Sequence, residues 1–159
     1  MFVICLRRSQ LKLSPEKERI NMNTRHLIKN FLILYPPFVI LDFVWFGFLV
    51  SPIYQKHLSH LMLPPESCTL VTCIGMFIPL ALIVLGALLF VAPRVSAVSY
   101  GQSFIWGAVY GFITYGIYSI SNLIHLNGWP IQITLLDISW GMVVCGLLGI
   151  CIAYLSKQK

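Results

Sequence analysis

Four apolar stretches, each about as long as a bilayer core is thick, decide what this chain can become. A helix crosses a hydrocarbon core of about 30 Å with about 20 residues. Runs of that length cover about residues 30–50, 68–92, 102–123 and 131–155. Within lipid every backbone N–H and C=O must be satisfied inside the segment, so such runs read as helices. The connectors SPIYQKHLSHLMLPPES, APRVSAVSYG and HLNGWP are rich in Pro, Ser, His and Gly and read as turns at the membrane surface. Only 10% of the residues are charged, against about 25% in soluble domains, and 58% are hydrophobic. The expected architecture is an all-α integral membrane four-helix bundle of up-down topology. Residues 1–27 form a basic tail, 28–156 the four-span domain and 157–159 a short end.

Lys and Arg set the orientation, because short basic segments stay on the cytoplasmic side. Ten of the eleven fall in the tail, the second connector (Arg94) or the C-terminus (Lys157, Lys159), and Lys56 alone falls on the other side. Both termini are therefore expected in the cytoplasm. The net charge of +6 is a consequence of topology, with some attraction to anionic lipid, so no nucleic-acid partner is called for. MFVICLRRSQ is no signal peptide, since its apolar part is short and its charges follow it. MNTRHLIKN makes a normal lead-in to a span, so Met22 competes with Met1 as the translation start. Ser14 and Pro15 carry the cap and first-position signature of a short surface helix. The five cysteines lack the spacing of a zinc site or a disulfide framework and read as small lipid-compatible residues.

Two acids, Asp42 and Asp137, lie inside expected spans, where each costs about 2.5–3.5 kcal/mol on insertion. LDFVW at 41–45 and LDISW at 136–140 both read L-D-x-x-W, placing Asp42 with Trp45 and Asp137 with Trp140 on one helical face. The two spans run in opposite directions, as an inverted repeat would. At about 1.5 Å per residue, Asp42 and Asp137 sit roughly 14 and 9 Å below the outer surface. The third span delivers Thr114, Tyr115, Tyr118, Ser119, Ser121 and Asn122 at overlapping depths. These polar groups either lock the helices together or line a small pocket that binds a proton, cation or amine. Tyr35-Pro36-Pro37 and Pro79 predict kinks, the first one turn before Asp42 and opening space beside it. Gly107, Gly111 and Gly116, with Gly141, Gly146 and Gly149, mark close helix approach, within the bundle or in a homo-oligomer. His57 and His60 have a spacing that suits a metal, but no second ligand motif supports one. They read as interfacial polar groups. Tyr100, Trp106 and Trp129 read as an aromatic belt. No phosphate loop, nucleophile elbow or zinc-protease helix is present, and no cofactor is expected.

LDFVWFGFL, IYQKHLSHLM, YGIYSISNLIHLNGWP and ITLLDISWG, in this order, resemble the bacterial predicted membrane proteins grouped as domain of unknown function 2177. The resemblance spans about residues 28–155 and implies a small four-span protein of the bacterial cytoplasmic (inner) membrane. It carries over onto Asp42, Trp45, Gly47, His60, Tyr118, Asn122, Gly128, Trp129, Pro130, Asp137, Trp140 and Gly141. It departs at Ser119, where the family pattern has Asp, and it brings no activity with it. The leading functional expectation is a transport-like or ligand-binding protein whose site comprises Asp42, Trp45, Tyr118, Asn122, Asp137 and Trp140. The alternatives are a structural or accessory subunit and, less favoured, a membrane enzyme acting on lipid or quinone through an Asp.

Overall fold

The computed structural model describes residues 24–63, 67 and 69–158. The tail, the Met22 start and the surface helix expected at Ser14 and Pro15 lie outside the described residues. Within them the chain is helical almost throughout, with no strand. Helix α1 runs Thr24–Val44 and passes into a π turn, Trp45–Leu49, closed by a bond of 3.0 Å from the Val50 N–H to the Trp45 carbonyl. Pro36 and Pro37 lie inside α1, which continues through both. Their fixed φ is itself helical, and each removes one bond from an otherwise intact ladder. The irregularity comes after Asp42 instead, where the π turn adds a residue and re-aims the aromatic side chains behind it.

Helix α2 (Ser51–Leu58) starts with Pro52 in its first turn, where the missing N–H costs nothing. Thr69 caps α3 (Leu70–Gly75), and α4 follows as Phe77–Phe90. The one-residue break between them, at Met76, falls in the turn before Pro79, whose absent N–H leaves the Gly75 carbonyl without its helical partner. After the single turn α5 (Ala92–Val95), a capping box of Ser99 and Gln102 opens α6 (Tyr100–His125), and α7 (Ile131–Lys157) starts behind Pro130. Among the described residues, three helical segments are long and apolar enough to cross a membrane: Thr24–Leu49, Leu70–Phe90 and Ile131–Lys157. α6, with 26 residues, has the length at roughly 39 Å, but its Tyr, Ser, Thr, Asn and Gly make it more polar than those three.

α6 and α7 make the closest helix pair, because glycines bring their backbones together. A Cβ on Gly107 would stand against the Cys145 carbonyl, one on Gly111 against the Gly141 carbonyl, and one on Gly149 against the Ser103 carbonyl. The small-residue faces that suit either a bundle or a homo-oligomer thus meet inside the chain. α1 packs on α4 and α7, and α4 is tied to α6 where the Tyr110 hydroxyl donates to the Ile83 carbonyl at 3.0 Å. The fully packed core, including Leu34, Phe38, Val84, Leu88, Val144 and Ile152, gathers toward the α5 end. There Arg94 lies over the Trp106 ring at 5.4 Å and Lys157 over the Tyr100 ring at 4.1 Å. The opposite end is built from α2 and the turn before α7. Gly128 takes a φ of 84° there, and the His60 Nε2 lies 2.9 Å from where a Cβ would stand. Only glycine suits both conditions.

Candidate functional site

The two intramembrane acids are buried, Asp42 with 6% and Asp137 with 2% of its surface exposed, and each is held by groups from other helices. Asp42 Oδ1 accepts from the Trp140 indole N–H at 2.8 Å and from the Tyr115 hydroxyl at 3.2 Å, which joins α1 to α7 and α6. Asp137 Oδ2 accepts from the Ser119 hydroxyl at 3.0 Å, and its Oδ1 accepts from the Tyr54 hydroxyl. The L-D-x-x-W faces therefore work across helices: the aspartate of α1 takes the tryptophan of α7. Trp45 stacks flat on Trp140, ring centres 4.3 Å apart and planes 2° from parallel. The buried Trp45 N–H has no hydrogen-bond partner among the described residues, which is the cost of giving that indole to the stack.

Asp42 and Asp137 differ in one respect. Both oxygens of Asp137 are taken by protein hydroxyls. At Asp42 both donors go to Oδ1, so Oδ2 has no partner among the described residues. Unlike the Trp45 N–H, it is not sealed in the packing. Asp42 lines a cavity of about 640 Å³ that also reaches Asp137, Tyr54, Tyr115 and Tyr118. Apart from Thr114, the remaining walls are apolar, among them Val39, Phe43, Phe46, Phe77 and Leu82. The first turns of α4 supply Phe77, Pro79, Leu80 and Leu82 to the cavity, and the filled contacts of α4 with α1 and α7 lie farther along, at Val84 and Leu88.

Tyr118 lies on the cavity wall, 59% exposed and edge-on to Trp129 at 6.3 Å, and bonds neither acid. Asn122 is half-buried and likewise bonds neither acid. The hydroxyls that do so on α6 are Tyr115 and Ser119, and Ser119, which departs from the family pattern, is fully buried. Tyr54 is absent from the sequence expectation because it lies in a connector. Its only advance sign is a Ser-Pro helix start that turns the chain back one helical turn beyond the span. Burial, and then its bond to Asp137, push the Tyr54 hydroxyl above its ordinary range, so it remains a neutral donor. Trp129 extends the same network, its N–H donating to the Thr134 hydroxyl at 3.0 Å, which in turn reaches the Ser119 carbonyl at 3.4 Å. His57 and His60 belong to no group of three potential metal ligands among the described residues.

A family model described as predicted membrane protein, domain of unknown function 2177, matches residues 27–154. The match takes in every residue of the cluster. No curated protein and no solved structure matches the chain.

Proposed function

The chain belongs to the predicted membrane protein family of domain of unknown function 2177, and from that premise we propose that it binds a small ligand at Asp42, as a transport protein binds its substrate. The observation that carries this reading is the free Oδ2 of Asp42 on the cavity wall. A carboxylate kept at membrane depth with an open oxygen selects a partner that brings a hydrogen-bond donor or a positive charge. A partner for that oxygen is favoured, because an unpaired acceptor shut away from water costs about 1–3 kcal/mol.

Around this site we place four spans, about 30–50, 68–92, 102–123 and 131–155, with both termini cytoplasmic in a bacterial inner membrane. The basic bias favours that orientation, and Arg94 and Lys157 lie at one end of the helices while Lys56 is on α2 at the other. The cavity then lies in the outer half of the bilayer. With the native cysteines replaced, a membrane-impermeant maleimide is expected to label Gln55→Cys in intact cells and Ser156→Cys only after permeabilisation. The reverse pattern would invert the topology.

Asp42→Asn tests the site without disturbing its supports. The amide oxygen can still accept from Trp140 and Tyr115, while the amide nitrogen replaces Oδ2 and presents a donor to the cavity. In lipid nanodiscs, primary amines are expected to bind the wild type saturably and the folded variant about ten- to a hundred-fold more weakly, the worth of a charge-assisted hydrogen bond. Equal affinity in both would refute a binding role for Asp42.

A further inference from the structure

The shape of the cavity narrows the ligand class, given the Asp42 binding reading on which this step rests. Three of its wall residues, Phe43, Met76 and Leu82, are each 61% exposed, so the cavity opens sideways through the outer faces of α1 and α4. Toward the α2 end it is covered. The Tyr54 hydroxyl is fixed on Asp137, and the Phe46 ring meets the Tyr54 ring edge-on at 5.6 Å. At the far end α4 closes on α6 through Tyr110 and Ile83. In a chain that sits in a bilayer, the open side faces acyl chains and the covered side faces water.

The charges on the walls are one-sided. Asp42 and Asp137 both reach the cavity, and among the described residues no Lys, Arg or His lines it. The donors already on the acids, from Trp140, Tyr115, Tyr54 and Ser119, are all neutral. A cationic head would supply both the missing donor for Oδ2 and the missing positive charge. At about 30 Å³ per water-sized group, 640 Å³ holds about twenty such groups, which suits one alkyl tail and its head.

We propose that the cavity receives a single-tailed amphiphile with a protonated amine head directly from the bilayer. The head rests on Asp42 Oδ2 and the tail lies along Phe43, Phe77 and Leu82, reaching out between α1 and α4. Access is lateral because the Tyr54 roof closes the aqueous side.

The test is thermal unfolding of the full chain in phosphatidylcholine nanodiscs doped with dodecylamine, dodecanol or dodecanoate, or bathed in methylammonium. Dodecylamine at saturation is expected to raise the Tm by about 5 °C, dodecanol and methylammonium by much less, and dodecanoate not at all. The shift should vanish in Asp42→Asn. A bulky side chain on the rim, Leu82→Trp, should leave the unliganded Tm near the wild-type value and remove the dodecylamine shift. Equal Asp42-dependent shifts with methylammonium and dodecylamine would overturn the amphiphile while leaving the Asp42 site standing. A full dodecylamine shift in Leu82→Trp would overturn lateral access. Shifts that survive Asp42→Asn, or their absence with every amine, would overturn the site itself.

Discussion

Gly111→Ala is expected to lower stability by about 3 kcal/mol and the Tm by about 10 °C in nanodiscs, whereas Gly116→Ala, five residues along the same helix, should hold or slightly raise both. The Cβ added at Gly111 falls against the carbonyl of Gly141 and within 2.9 Å of the Cys145 Cβ. Backbone offers no rotamer by which to yield, so α6 and α7 must separate. That separation spreads, because α7 carries Trp140 and Asp137 while α6 carries Tyr115 and Ser119, and both acids are held across this seam. At Gly116 the added methyl meets nothing within 4 Å, and alanine in place of glycine favours the helix by up to about 1 kcal/mol. Thermal unfolding of the two variants side by side settles the matter: equal losses would mean that the glycine seam is not what brings α6 and α7 together.

The same seam shows what is legible in the sequence. Glycines at Gly107, Gly111, Gly141 and Gly149 announce close approach because only a missing side chain permits it, but spacing alone does not say whether the partner helix is in the same chain. Here it is, carbonyl against Cα. Asp42 and Asp137 stand out because acids are costly in apolar runs, and Trp45 and Trp140 because they recur three residues later. What pairs with what depends on helix rotation, which a one-residue π turn shifts, so Trp140 reaches Asp42 while Trp45 only stacks. Depth brings Tyr115, Tyr118, Ser119 and Asn122 to one level, yet only the first and third bond the acids. Tyr54 is hidden for a different reason: a connector residue has no depth until the chain is known to fold back over the helix ends. The cavity is hidden too, since it follows from how α1, α4, α6 and α7 pack around it.

Asp137→Leu is expected to cost about 1–3 kcal/mol in the absence of any ligand, a loss that Asp42→Asn should not reproduce. Leucine keeps the volume, so the cost comes from hydroxyls and not from a hole. Ser119 is fully buried and loses the acceptor at 3.0 Å; its remaining option is a carbonyl of its own helix. Tyr54 lies at the edge of the structure and can turn to water, so its loss is mechanical. Without Asp137, α2 has no side-chain hydrogen bond to the helices beneath it among the described residues, and only apolar packing, through the buried Leu58 and the Phe46 edge contact, holds it. Amide hydrogen exchange in Ser51–Leu58 should therefore quicken about ten-fold or more in Asp137→Leu, while exchange in the Gly-packed parts of α6 and α7 stays near wild type. Asp137 thus braces the roof, and Asp42 presents the open oxygen. If instead Asp42→Asn loosens α2 and Asp137→Leu leaves it protected, the two acids have exchanged roles, and the ligand must be sought at Asp137.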